Sequence, residues 1–138
     1  MRLDELKDKK ILILGFGKEG IDSYLALRRL FPEKQLAVAD EKKIENYELG
    51  LRTLISKDKK IKLYLGRNYL VSLKNYDLII KTPGIPEKIY RPFIKEGSEV
   101  SSQTRIFFDD FPGLIIGVTG TKGKGTTSGL IYQILKTA

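Results

Sequence analysis

Apolar residues fall along this chain in two rhythms. Lys10-Ile11-Leu12-Ile13-Leu14, Gln35-Leu36-Ala37-Val38-Ala39 and Tyr76-Asp77-Leu78-Ile79-Ile80 are short, continuous runs of the kind buried on both faces of a parallel sheet. Between them the period lengthens. Ile21, Tyr24, Leu25, Leu27 and Leu30 have the spacing of an amphipathic helix that ends near Phe31-Pro32, and Leu49, Leu51, Leu54 and Ile55 give residues 45–55 a short apolar helical face. After the charged turn Lys57-Asp58-Lys59-Lys60, Ile61-Lys62-Leu63-Tyr64-Leu65 alternates as a strand and stops at Gly66. Residues 68–73 suggest a helical turn and 87–96 a helix closing at Gly97. Residues 100–108 have an extended start and then Ile106-Phe107-Phe108, an aromatic run expected to pack rather than bind. The pattern predicts an α/β fold over residues 1–108: a Rossmann-like, mainly parallel sheet of four strands flanked by helices.

Asp109-Asp110-Phe111-Pro112-Gly113 combines charge, proline and glycine and predicts a linker over 109–113. Beyond it, Leu114-Ile115-Ile116-Gly117-Val118 predicts a strand, followed by a glycine-rich loop and a helix carrying Leu130, Ile134 and Leu135. Residues 114–138 thus predict the first strand, phosphate loop and helix of a P-loop ATPase domain. One strand and one helix bury no core of their own. The expectation is an N-terminal piece of a longer protein.

Three loops in this layout carry candidate chemistry. Gly15-Phe16-Gly17-Lys18-Glu19-Gly20 fits G-x-G-x-x-G between a strand and a helix, and Asp40 ends the next strand about twenty residues on, where a carboxylate meets a ribose hydroxyl in nucleotide-binding folds. The alternative is that the glycines only let the helix approach the strand. Lys81-Thr82-Pro83-Gly84-Ile85-Pro86 follows the third buried run, and loops at the carboxyl ends of parallel strands converge on one crevice. Thr82 and Gly84 therefore either face the same ligand as Gly15 to Gly20 or merely turn the chain.

Gly117-Val118-Thr119-Gly120-Thr121-Lys122-Gly123-Lys124-Gly125-Thr126-Thr127 reads as a triphosphate cradle. Glycines let backbone N–H groups curl around phosphate, a helix N-terminus adds partial positive charge, and Lys124 can reach the terminal phosphates. Against G-x-x-x-x-G-K-[ST], five residues rather than four separate Gly117 from Gly123. Gly125 stands where a hydroxyl would meet Mg²⁺, and hydroxyls follow one step late at Thr126 and Thr127.

Composition narrows the chemistry. The 138 residues contain neither cysteine nor histidine, so disulfides, thiolate metal sites and the commonest general base are excluded, and any metal would need oxygen ligands. Lys and Arg number 25 against 17 for Asp and Glu. The resulting charge of +8 fits an anionic partner such as a diphosphate, or simply a lysine-rich solvated surface. Basic and aromatic residues are not interleaved as in single-strand binders, and no nucleic-acid partner is expected. With no apolar run near the roughly 20 residues of a membrane span and no signal-peptide core, a cytoplasmic, monomeric protein without membrane contact is expected.

The order of Gly15-Phe16-Gly17-Lys18-Glu19-Gly20, Asp40, Thr82-Pro83-Gly84-Ile85 and the Thr119-Gly120-Thr121-Lys122-Gly123-Lys124 loop resembles the Mur ligase family of bacterial cell-wall synthesis. The five-residue spacing is usual there. The resemblance implies that the first domain holds the uridine diphosphate of a UDP-sugar-peptide, around Gly15, Gly17, Lys18, Glu19, Gly20, Asp40, Glu41, Lys42, Thr82, Pro83 and Gly84. It implies ATP phosphates on Gly120, Thr121, Lys122, Gly123, Lys124, Gly125, Thr126 and Thr127, with Lys124 catalytic and Thr126 as Mg²⁺ ligand. ATP and Mg²⁺ would be the cofactors. In the complete protein, ATP would phosphorylate the carboxylate of UDP-N-acetylmuramoyl-L-alanine, and the amine of D-glutamate would attack the acyl phosphate. The isolated chain would bind only the UDP moiety. Alternatives are a member adding L-alanine or a diamino acid, or an NAD-type Rossmann module without ligase activity. Gly125, Lys18 and Glu19 depart from the family's usual residue types.

Overall fold

The computed structural model describes residues 2–137. A five-stranded parallel sheet of order β3-β2-β1-β4-β5 is built from Ile11–Leu14 (β1), Leu36–Asp40 (β2), Ile61–Leu65 (β3), Leu78–Lys81 (β4) and Glu99–Ser101 (β5). Every residue of β1 and β2 is buried, as their unbroken apolar runs require. On β1 and its neighbours, successive side chains point to opposite faces. Ile11, Ile13, Leu36, Val38, Leu78 and Ile80 join one core with Tyr24 and Leu27 of helix α1 (Lys18–Leu30), Ile55 of α2 (Leu49–Lys57) and Ile106 of α4 (Gln103–Asp110). Leu12, Leu14, Ala37, Ala39 and Ile79 face the other way, onto Leu73 and Tyr76 and onto Tyr90 of α3 (Glu87–Tyr90). Each fully buried Leu or Ile contributes on the order of 2 kcal/mol, so two facing layers give the domain a complete core.

The end of α1 is fixed by charge. The Arg28 guanidinium donates to the carbonyls of Pro32 and Lys34 and pairs with Asp58 at 2.7 Å, while Tyr24 donates to the same carboxylate. A cation in the last turn of a helix suits its dipole, and Arg28 stands there. Burial and the adjacent Asp58 push the Tyr24 pKa up to about 12.

Four expectations are corrected. The helix expected over 45–55 starts only at Leu49, after a 3₁₀ turn at Ile44–Asn46, because Tyr47 adopts an extended backbone and buries its ring edge-on against Phe16. The helix expected over 87–96 stops at Tyr90 and passes into a 3₁₀ turn, Arg91–Phe93, since Pro92 has no amide hydrogen to continue the ladder. The stretch 100–108 supplies a fifth strand and then α4, whose N-cap Ser102 accepts from the Arg105 amide. Within the aromatic run only Ile106 is buried. Phe107 and Phe108 are about half exposed, and Phe107 stacks on Phe111. The linker expected over 109–113 therefore begins inside α4.

The fourth correction is larger. Leu114 to Val118 forms no strand, so the P-loop ATPase portion of the predicted fold is not supported as a strand, loop and helix. A strand needs a neighbour for its backbone groups, and Leu114 to Val118 pairs with none of the five strands. Leu114 is 88% exposed. Helix α5 (Lys124–Thr137) does form, with no buried residue, and Leu114, Ile116 and Val118 lie along its Ile131, Tyr132 and Leu135 side.

Candidate functional site

Strand order reverses between β1 and β4, and the loops leaving their carboxyl ends part there to leave a crevice. Gly15 follows β1 with φ +91°, and its amide donates to the Ala39 carbonyl. A Cβ at Gly15 would lie 2.2 Å from the Thr82 Oγ1, and one at Gly20 would lie 2.0 Å from the Gly15 carbonyl oxygen. Thr82 in turn donates its amide and its hydroxyl to the Leu14 carbonyl. Gly15 and Gly20 thus serve close packing of helix, strand and loop. Gly17 is different: it is the N-cap of α1, and nothing lies within 4 Å of where its Cβ would be. Gly84 is equally open.

The crevice has a volume of about 310 Å³. Gly15 and Gly17, Asp40-Glu41-Lys42, Thr82 and Gly84 line it, so seven predicted positions from three separate loops converge. Lys18, Glu19, Gly20 and Pro83 do not line it. Lys18 and Glu19 are exposed in the first turn of α1, and Gly20 is buried beneath the loop. The opposite wall was not marked by sequence reasoning as functional: Tyr69, Pro86 and Ile89, with Ile85. Tyr69 sits in a 3₁₀ turn whose weak helical pattern carried no chemical signal. Burial, and then the negative charges of Glu41 and Asp40, raise its hydroxyl pKa.

Asp40 has a definite structural task. Its carboxylate accepts from the amides of Phe16 and Lys42, fixing the first loop to the end of β2, and the residue is 8% exposed. A carboxylate has about four acceptor positions, so two backbone bonds leave capacity for a ligand hydroxyl. Tyr47 lies below it, its hydroxyl pKa pushed up by burial first and then by Asp40. The crevice therefore combines an apolar and aromatic wall, an acidic corner at Asp40 and Glu41, one cation at Lys42, and a helix N-terminus at Gly17. That set suits a nucleoside: a flat base against the wall, hydroxyls at the carboxylates, and phosphate toward the amides of α1.

Residues 117–127 lie outside this crevice. Gly120 and Gly123 have φ of +150° and +77°, Thr127 donates its amide to the Gly123 carbonyl, and Lys124 opens α5. The Lys124 ammonium donates to the Gly120 carbonyl at 2.6 Å, so it lies folded over the loop. As a metal site the loop is thin, because Thr126 is exposed and no group of three or more acidic side chains capable of holding an ion occurs among the described residues. No helix among them is long and apolar enough to cross a membrane.

Comparison with known proteins gives a consistent likeness. No protein-family model matches the chain. It is 38% identical over 137 residues to a UDP-N-acetylmuramoylalanine–D-glutamate ligase of Acetivibrio thermocellus, the match covering 96% of this chain and 28% of that protein. It is 34% identical to ligases of the same name from Borreliella burgdorferi (99% and 30%) and Clostridium novyi (97% and 29%). The chain thus spans under a third of the length of the curated relatives it matches.

Proposed function

Because this chain belongs with the Mur ligases, homologous along nearly its whole length to relatives named for adding D-glutamate, we propose that its crevice holds the uridine diphosphate end of UDP-N-acetylmuramoyl-L-alanine. The observation that carries this reading is the convergence of Gly17, Asp40, Thr82 and Gly84, from three loops, on one crevice at the sheet's switch point. Tyr69 and Ile89 pack the uracil. Asp40 and Glu41 accept from ribose hydroxyls, and Lys42 with the first amides of α1 meets the diphosphate.

In the full-length ligase, residues 120–127 would hold ATP phosphates and Thr126 would contribute to Mg²⁺. When bound, ATP would supply a phosphoryl group to the substrate carboxylate, so that attack of the D-glutamate amine on the carboxyl carbon expels phosphate and forms the amide. Lys124, whose ammonium donates to the Gly120 carbonyl, would supply positive charge to the phosphates held there. Its working place is the cytoplasm, where nucleotide-linked precursors are made.

Thermal unfolding with UDP, UDP-N-acetylmuramoyl-L-alanine, NADH and ATP–Mg²⁺ tests the reading. A ligand that binds only the folded state stabilises it by mass action, by about 2.7 kcal/mol at 100 times its Kd. The uridine compounds should raise the midpoint and NADH should not. A rise with NADH alone would falsify the proposal.

A further inference from the structure

The sheet ends openly at β3, which pairs on one side only, with β2. The register shows which of its backbone groups are left over. Leu36 donates its amide to the Lys60 carbonyl and Gly66 donates to the Asp40 carbonyl, so the even-numbered residues of this stretch turn their backbone groups toward β2. Backbone groups alternate sides along a strand, and those of Ile61, Leu63 and Leu65 therefore point outward. The Ile61 amide makes a long turn bond to the Asp58 carbonyl at 3.5 Å. The amides and carbonyls of Leu63 and Leu65 meet no other backbone group among the described residues.

A groove runs beside this edge. Leu63 is 37% exposed, and with Leu49, Arg52, Thr53 and Ser56 of α2 it lines a hollow of about 350 Å³. No residue of that hollow belongs to the nucleotide crevice. Successive side chains of a strand point to opposite faces, so Lys62 stands on the other face, beside Lys10 and Tyr64. The charge here is one-sided. Residues 57–67 carry Lys57, Lys59, Lys60, Lys62 and Arg67 against the single carboxylate of Asp58, and Glu45 and Glu48, ahead of α2, are the nearest other carboxylates in sequence. Asp58 is held by Arg28 at 2.7 Å, and Lys60 by Glu33 at 3.1 Å. Lys57, Lys59, Lys62 and Arg67, with Arg52 at the groove, are exposed and pair with no carboxylate among the described residues. Lysines on an open edge hold off a strand of like charge, and a second copy of this chain would bring the same excess to the seam. The same lysines favour a strand of opposite sign.

We infer that the β3 edge is a docking strand for an acidic, extended peptide segment of a partner protein, in which apolar residues alternate with carboxylates. The segment pairs its backbone with Leu63 and Leu65, sets its apolar side chains into the groove beside Leu63, and turns its carboxylates to the Lys62 face. The inference stands independently of what occupies the nucleotide crevice.

The test is an amide NMR titration of the 138-residue chain with a short, end-capped peptide alternating valine and glutamate. Its controls are a peptide of the same composition with all glutamates in one block, the alternating peptide methylated on its central backbone nitrogens, and a thymidine oligonucleotide. The alternating peptide should move the amides of residues 61–66, saturate at roughly millimolar concentration, and slow hydrogen exchange at the Leu63 and Leu65 amides. Lys62→Glu, an exposed change that should leave the unfolding midpoint in place, should weaken binding about fivefold, the scale of losing one exposed ion pair and gaining a like-charge contact. Equal shifts with the block-ordered peptide, the methylated peptide or the oligonucleotide would reduce the edge to a solvated basic surface and overturn the inference. So would full affinity in Lys62→Glu, or absence of any shift at several times the expected saturating concentration. Concentration-dependent shifts at 61–66 in the chain alone would make a second copy the occupant and overturn it as well.

Discussion

Two glycines two residues apart should respond oppositely to the same substitution. At Gly15 an alanine would face both a φ of +91° and a Cβ 2.2 Å from the Thr82 Oγ1, with Ile85 Cδ1 at 3.1 Å. Holding a non-glycine residue in left-handed backbone costs on the order of 1–2 kcal/mol, and forcing a methyl into a packed contact costs about 1–3 kcal/mol more. Thr82 cannot swing away cheaply, because its amide and hydroxyl are both held on the Leu14 carbonyl. Gly15→Ala should therefore lose roughly 2–5 kcal/mol, a large share of the roughly 5–15 kcal/mol typical of a domain. Gly17→Ala meets nothing within 4 Å at φ −76° and should cost at most about 1 kcal/mol through the weaker N-cap. In the crevice its new methyl stands where the proposed function puts phosphate against the α1 amides, so UDP binding should weaken about tenfold or more. Urea unfolding followed by circular dichroism gives both stabilities, and the UDP-induced midpoint shift gives binding. Equal stabilities for the two variants would refute the packing argument. A Gly17→Ala chain that binds UDP as tightly as its parent would refute the placement of phosphate at α1.

Asp40→Asn should lose about 1–3 kcal/mol, because one amide of the Phe16 and Lys42 pair then faces an NH₂ group in a buried place. An unchanged urea midpoint would show that the carboxylate is dispensable to the fold. The Asp58 carboxyl is held below the ordinary carboxylate range: burial alone would raise it, but bonds from Tyr24, the Lys60 amide and Arg28 outweigh that. Its folded pKa being depressed, the stability it contributes is present above the unfolded value near 4 and lost as pH falls through the folded value. The stability of Asp58→Asn should accordingly fall less steeply than that of the parent below about pH 4, and parallel acid profiles would contradict this. Tyr69→Ala should weaken uridine binding, read by NMR titration, by an amount on the scale of one stacking contact, about 1 kcal/mol. Removal of residues 114–138 should leave the unfolding free energy from urea titration within about 0.5 kcal/mol, because α5 buries nothing. A larger loss would mean that this segment packs on the domain.

How much was legible in advance follows from which signals are local. Continuous apolar runs report burial on two faces, and β1, β2 and β4 appear within a residue or two of where Ile11, Leu36 and Leu78 place them. The glycine spacing reported a tight strand-to-helix turn. The crevice was legible as three loops because a parallel sheet puts all carboxyl ends on one side. Helix ends and the fifth strand were less so: Tyr47 leaves a helical pattern to bury its ring against Phe16, a choice made by a residue thirty-one positions away. Three-residue β5 is too short for any periodicity and exists by pairing with β4.

The sequence by itself determined the buried strands, the turn chemistry, the charge excess and the absence of thiol and imidazole groups, since these depend on residue type and near neighbours alone. Only the tertiary structure divided the glycines into packing and open positions, turned Asp40 inward onto two amides, and brought Tyr69 and Ile89 to the crevice. It alone also denied Leu114 to Val118 a strand. In each case the deciding quantity is a distance between residues far apart in the chain, or a hydrogen-bonding neighbour that is present or missing. No local pattern carries that information.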